Sequence, residues 1–228
     1  MIEIPMRSSP PLDHNSVLHI NVPGTISQTF AAPPAPSVPK LSIPPLNKKI
    51  QKGQKVPLNP SGSAKHIKVC LGWNVTNPKC DLDVSAFILG KNGKVLGDDW
   101  FVFYGQESSP DQSVLFSGSS STDREFISID LSRLNPAASK IVFVLTINDA
   151  FLHHLNFSMV RDAYIRILDA DNRQELVSFQ MTDYYPNVIS MMIGEIYLYN
   201  GIWKCNAVGN GVAKDLAGLC QLYGVETV

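Results

Sequence analysis

The sequence predicts a mainly β protein: a two-sheet antiparallel β-sandwich with one or two short helices, preceded by an extended proline-rich arm. Three observations support this fold class. Short segments in which apolar and polar residues alternate, such as residues 126–131, recur along the last three quarters of the chain. Turn-forming residues, such as Asn92-Gly93 and Asn200-Gly201, separate those segments. Helical spacing of apolar residues is confined to short stretches.

The first part of the chain differs in composition from the rest. Twelve of the sixteen prolines lie within residues 1–60. Because proline fixes φ and lacks a backbone donor, this stretch favours extended chain over helix or sheet. We therefore predict an arm over residues 1–50 and a sandwich domain over residues 51–228. Such an arm is expected to order only along another surface, so we predict a protein partner, or a second copy of the chain, bound through residues 1–50.

The alternating segments give the expected elements in order. We predict strands within residues 67–73, 84–89, 126–131, 141–147, 163–168, 175–180, 188–193 and 203–208. Two helices are predicted. One covers about residues 157–162, and the other covers residues 211–223, where Val212, Leu216, Leu219 and Leu222 have helical spacing. Many short strands with few helices are typical of an antiparallel sandwich.

Charge and composition argue against several classes of protein. The formal net charge is −1, so no nucleic-acid partner is predicted. No apolar run reaches the roughly 20 residues that span a bilayer, and the first residues lack the basic-then-apolar order of a signal peptide. We expect a cytoplasmic protein, with incorporation in a particle or virion as the alternative.

The four cysteines form no C-x-x-C pair and are expected to be reduced and buried.

Acidic residues cluster at the ends of predicted strands. Asp81 and Asp83 begin one strand, Asp123 and Glu125 precede another, and Asp149 follows a third. Strand-end loops meet at one end of a sandwich, and calcium takes about 6–8 oxygen ligands from such loops. These side chains are therefore the predicted calcium ligands. The alternative is that they are separate, solvated carboxylates.

Several multi-residue phrases in a fixed order resemble one known family. They include Leu71-Gly72-Trp73, Cys80-Asp81-Leu82-Asp83, Gly194-Glu195-Ile196-Tyr197 and Trp203-Lys204-Cys205-Asn206. Over about residues 50–226, their order and spacing resemble the TerD family, which is named for tellurium resistance. The resemblance implies a β-sandwich with calcium-binding acidic loops and a non-enzymatic role in tellurite and other chemical stress.

The chain departs from the family pattern at the calcium loops. Asn74 stands where the pattern has Asp, Ser119 and Ser120 stand where it has Asp-Asn, and Arg124 stands where it has a carboxylate. Because affinity for a divalent cation falls as carboxylates are lost, the resemblance implies at most one calcium ion, weakly held. The alternative is a loop without an ion, in which Arg124 pairs with a nearby carboxylate such as Asp123.

Two functions are consistent with these features. The first is a non-enzymatic stress-response binding or scaffold module of the TerD type, with at most one weak calcium site. The second is a structural subunit of a larger assembly, such as a virion or another multi-protein particle, in which the arm tethers neighbours and metal is dispensable. No nucleophile has an evident base, so no enzymatic activity is predicted. Glu195 is assigned to a cross-strand pair rather than to catalysis.

Overall fold

The computed structural model describes residues 40–58, 64–118 and 122–227. Most of the predicted arm lies outside these residues. The described strands are β1 (Lys55–Pro57), β2 (His66–Val75), β3 (Leu82–Leu89), β4 (Phe101–Val102), β5 (Val114–Ser117), β6 (Glu125–Asp130), β7 (Lys140–Ile147), β8 (Val160–Asp169), β9 (Glu175–Gln180), β10 (Ser190–Tyr199) and β11 (Ile202–Val212). The described helices are α1 (Ala150–His153) and α2 (Leu216–Tyr223).

The strands form two sheets, which confirms the predicted β-sandwich. Within the described residues, a six-stranded sheet has the order β1-β11-β10-β7-β3-β4 and a five-stranded sheet has the order β5-β6-β2-β8-β9. Neighbouring strands pair antiparallel throughout. All eight predicted strand segments coincide with observed strands, although the segment 188–193 enters its strand only at Ser190. Three described strands lie outside those eight segments. Strand β1 overlaps residues 52–56, which resemble the opening strand of the TerD family, whereas β4 and β5, with two and four residues, were not predicted.

The main core lies between the sheets. Alternate residues of each strand point inward, because successive side chains of a strand project to opposite faces. In β2 and β6, for example, the buried inward residues are Ile67, Val69, Leu71, Ile127 and Ile129. The outward residues of the same strands are free to carry polar side chains, and several of those build the site described below.

A helix covers part of the outer face of the six-stranded sheet. The side chain of Asp215 accepts a hydrogen bond from a backbone N–H in the first turn of α2 (2.8 Å), which caps the helix. The helix ends before Gly224, whose φ of 82° is in the left-handed region that glycine adopts without strain. Leu219 is buried in a second cluster with aromatic residues of β3 and β4.

Both helix predictions need correction. Residues 157–162 do not form a helix: Phe157–Met159 is a single 3-10 turn, and β8 begins at Val160, which pairs with Val75. The second helix begins at Leu216 rather than at residue 211, because residues up to Val212 belong to β11. In the described part of the chain, no helix has the length and apolar character needed to cross a membrane.

Candidate functional site

Two of the segments that carry predicted calcium ligands meet at one end of the sandwich. Leu82 at the start of β3 pairs with Ile147 at the end of β7. Beyond this pair, the backbone N–H of Asn148 donates to the carbonyl oxygen of Asp81 (2.9 Å). The segments that carry Asp81 and Asp149 therefore lie side by side. The predicted ligands Asp123, Glu125 and Asp83 lie in three other places, described next.

Asp123 is buried in an ion pair on the outer face of the five-stranded sheet. Its carboxylate accepts from Arg166 Nε (3.0 Å) and Nη2 (2.8 Å), and from the hydroxyl groups of Tyr164 (2.9 Å) and Thr122 (3.0 Å). Burial by itself would raise the pKa of Asp123. The hydrogen bonds and charge of Arg166, together with the two hydroxyl hydrogen bonds, outweigh this effect and hold the pKa below its ordinary value. The carboxylate is therefore ionised at neutral pH and already has a cation beside it.

The position of Tyr164 depends on a glycine. Gly72 of β2 pairs with Tyr164 of β8, and the tyrosine ring lies across the place that a Cβ at position 72 would occupy. From there the Tyr164 hydroxyl reaches both the carboxylate of Asp123 and the carbonyl oxygen of Thr122 (3.1 Å). The glycine of the Leu71-Gly72-Trp73 phrase thus makes room for the ring that supports the ion pair.

Glu125 points the opposite way, into the space between the sheets. Its Oε2 atom accepts from the backbone N–H of Val84 (2.7 Å) on the opposing sheet. Strand β4 pairs with β3 only at Ala86 and Phe87, so the ladder on that side of β3 does not reach Val84. The glutamate supplies the acceptor there, which a buried backbone donor requires. Asp123 and Glu125 therefore lie on opposite faces of one sheet.

Asp83 lies in a third place, under the start of α2. It lines a cavity of about 10 Å³ together with Ser85 and Thr146. The hydroxyl oxygens of Ser85 and Thr146 are buried there without a hydrogen-bond partner among the described residues. A cavity of this size holds about one water molecule. Asp83 is the one carboxylate among the described residues that line it, whereas calcium takes roughly 6–8 oxygen ligands, several of them from carboxylates.

The other two predicted ligands lie near the surface. Asp81 is exposed, and Asp149 is half-buried with a left-handed φ of 47° at the start of α1. Among residues 40–58, 64–118 and 122–227, no three His, Cys, Asp or Glu side chains are placed to share a metal ion. The five residues as arranged here do not fit a calcium ion. Calcium binding stays a prediction that only a titration tests.

The cation beside Asp123 is Arg166, its bidentate partner, and not Arg124, which was the predicted pairing cation. Arg124 Nε donates to the carbonyl oxygen of Trp73 (3.2 Å). A usable signal was present, since Tyr164 and Arg166 are two residues apart in a strand and so share a face. What the sequence could not supply was the position of Asp123 opposite them.

Glu195 forms the predicted cross-strand pair. Its carboxylate lies 2.8 Å from Lys140 Nζ and accepts from Asn206 Nδ2 (2.9 Å). These residues lie on the outer face of the six-stranded sheet, where Glu195 and Lys140 line a groove of about 400 Å³ with Lys91 and Tyr223. With both its oxygens bound by neighbouring side chains, Glu195 acts as a structural residue.

All four cysteines, Cys70, Cys80, Cys205 and Cys220, are buried and form no disulfide. Burial raises the pKa of each thiol to about 12, because a thiolate loses its hydration inside the protein. The thiols are therefore protonated at neutral pH and out of contact with solvent, as the sequence analysis expected.

Residues 46–223 match the TerD domain family. The chain belongs to the TerD family. It is 38% identical over 186 residues to the tellurium resistance protein TerD of Serratia marcescens, covering 78% of this chain and 97% of that protein. It is 33% identical over 187 residues to general stress protein 16U of Bacillus subtilis, with the same coverage of each chain.

Solved structures of low sequence identity share the TerD fold. A homologue of the telluride resistance protein TerD from Streptomyces coelicolor superposes with a TM-score of 0.52 at 19% identity, covering 73% of this chain and all of that one. A protein of unknown function, SAV2460, superposes with a TM-score of 0.54 at 20% identity, covering 68% and 93%. At these identities the likeness supports the sandwich alone.

Proposed function

We propose that this TerD-family chain is a non-enzymatic, cytoplasmic stress-response module that acts by binding or scaffolding other proteins. Relatives named for tellurium resistance and for general stress motivate the cellular context. The observation that carries the proposal is the state of the four cysteines. Reduction of tellurite by thiols requires accessible thiolates, and here every thiol is buried and protonated.

The raised thiol pKa values determine how much reactive thiolate the folded chain contains. With a thiol pKa of about 12, the thiolate fraction at pH 7 is on the order of 10⁻⁵, compared with a few per cent for an exposed cysteine. The thiols of the folded chain are therefore not expected to reduce tellurite, and the proposal assigns a protective effect to what the chain binds.

Two measurements test this proposal together. Expression of the full chain in a tellurite-sensitive bacterium is expected to raise survival on tellurite above that of cells with the empty vector. The purified chain, mixed with tellurite and NADPH, is expected to form elemental tellurium no faster than a protein-free control. Accelerated reduction, or survival equal to that with the empty vector, would contradict the proposal.

Calcium has at most a minor place in the proposal. Two of the predicted ligands, Asp123 and Glu125, already accept hydrogen bonds from protein donors, and Asp83 is buried apart from them, so at most one weak site, at the exposed Asp81, is proposed. A weak site adds little stability at ordinary calcium concentrations, because the gain depends on the ratio of ligand to Kd. A thermal shift in calcium that disappears in Asp81→Asn would demonstrate the site, and a shift of many degrees would refute its weakness.

A second function rests on the part of the chain outside the family match. The TerD match begins at residue 46, so the proline-rich stretch is additional to the domain. We propose as the alternative that the chain is a metal-independent structural subunit of a larger particle, such as a virion, whose arm tethers a neighbouring subunit. Light scattering should then give more subunits per particle for the full chain than for a chain lacking residues 1–40. The same number of subunits for both chains would rule out self-association through those residues.

A further inference from the structure

Residues 47–50 are held along the edge of the five-stranded sheet. The carboxylate of Glu175, at the start of β9, accepts from the backbone N–H groups of Asn47 (3.1 Å) and Lys48 (2.6 Å). Ser178 then continues the contact through its backbone, donating to Lys48 O (2.9 Å) and accepting from Ile50 N (2.8 Å). This segment therefore binds β9 in the manner of a short parallel strand.

A second anchor lies at Leu41. Its backbone N–H donates to Asn74 Oδ1 (2.7 Å), and its carbonyl oxygen accepts from Asn74 Nδ2 (3.1 Å). The same amide nitrogen also donates to Asp162 Oδ2 (2.9 Å). Asn74 is 6% exposed, so these bonds form in a site largely closed to water. The primary amide pairs with the backbone of Leu41 as a neighbouring strand would.

Between the two anchors the backbone has few donors. Pro44 and Pro45 have no N–H and cannot join a β ladder. The side chains of Leu41, Ile43, Pro44 and Leu46 are half-buried, while those of Ser42, Pro45 and Asn47 are exposed. The side chains of Asn74 and Glu175 thus hydrogen-bond to the backbone of the segment at its two ends. The two prolines limit the conformational freedom of the part between them.

We propose that Asn74 and Glu175 form a peptide-binding clamp whose ligand is an extended backbone, filled by residues 41–48 of the same chain. The clamp fixes Leu41 against Asn74, which also bonds to Asp162 near the start of β8. This inference stands apart from the stress-response function. It assigns Asn74 a role that a carboxylate cannot perform, because ionised aspartate accepts hydrogen bonds but has none to donate.

The substitution Asn74→Asp tests the clamp in the full-length chain. It keeps the acceptor for Leu41 N–H, removes the donor to Leu41 O, and sets a second negative charge against Asp162. Hydrogen exchange of the Leu41 amide is expected to accelerate by about tenfold, since loss of a buried hydrogen bond weakens the closed state. The matched control is Asn210→Asp, the same change at an exposed position of β11, which is expected to leave the Leu41 rate within about twofold.

A double variant separates the lost donor from the added charge. Asp162→Asn combined with Asn74→Asp removes the repulsion but does not restore the donor to Leu41 O, so fast exchange at Leu41 is expected to persist. The double variant also provides a test if Asn74→Asp alone fails to fold. In each variant, slow exchange of the Ile165 amide in β8 checks that the sandwich is folded. The clamp is refuted if Leu41 exchanges at the original rate in Asn74→Asp or in the double variant.

Discussion

The ion pair between Asp123 and Arg166 gives the sharpest test of the structure. The side chains of Asp123 and Arg166 are 4% and 13% exposed, and two hydrogen bonds of 3.0 and 2.8 Å join them. Asp123→Asn keeps the size and one oxygen but leaves the Arg166 charge without its counter-ion. Breaking a buried ion pair in this way costs about 3–5 kcal/mol, so we expect a loss of that size in the free energy of unfolding.

Urea denaturation measured between pH 7 and pH 2.5 is the assay for this prediction. The pKa of Asp123 is lower in the folded state than in the unfolded state, where it is about 3.9. The charge of Asp123 therefore contributes its full stability above the unfolded pKa. That contribution is lost as the pH falls through the folded-state pKa. The difference between the original chain and Asp123→Asn should therefore be constant from pH 7 to about 4.5 and shrink at lower pH.

The control is Asp183→Asn, the same chemical change at an exposed position, for which a change within about 0.5 kcal/mol is expected. Two results would refute the reasoning. One is a loss below about 1 kcal/mol for Asp123→Asn, which would mean that the pair is weak or solvated. The other is a difference that does not shrink in acid, which would mean that the loss does not come from the charge.

Three further predictions concern neighbouring features. Gly72→Ala places a Cβ against the Tyr164 ring and should lower the free energy of unfolding by about 1–3 kcal/mol. The near-ultraviolet circular dichroism of tyrosine should change as well. An unaltered signal and an unaltered stability would contradict the contact. Glu125→Ala removes the acceptor for Val84 N–H and should cost about 1–3 kcal/mol in urea denaturation, whereas Glu125→Gln should lose less because its amide oxygen still accepts. The four cysteines should react with a thiol reagent only after denaturation at pH 8, and rapid labelling of the native chain would show that they are not buried.

Most of the fold could be predicted because alternation is a local property. Segments such as residues 126–131 alternate clearly enough to identify a strand without knowledge of its partners. The errors occurred where tertiary pairing overrides local preference. Residues 157–162 lack strand alternation at their start, yet β8 begins at Val160 because Val75 is in position to pair with it. Strand β4 is too short to give a pattern at all.

The candidate site was predicted only in part. The sequence placed the acidic segments at strand ends, and the contact between Asn148 and Asp81 brings two of those segments together. It could not show that Asp123 and Glu125 face opposite sides of a sheet. Strand alternation would place residues two apart on one face, but β6 begins only at Glu125, so the rule does not extend to Asp123.

The sequence by itself determined the family, the sandwich and the burial of the cysteines, because these follow from residue patterns close together in the chain. Only the tertiary structure decided which donors each carboxylate meets. Arg166 reaches Asp123 across 43 residues of sequence, and Leu41 reaches Asn74 across 33. Which residues become partners depends on which strands are neighbours and on where each loop ends. A buried charge or amide then forms hydrogen bonds with the groups that lie next to it in the folded chain.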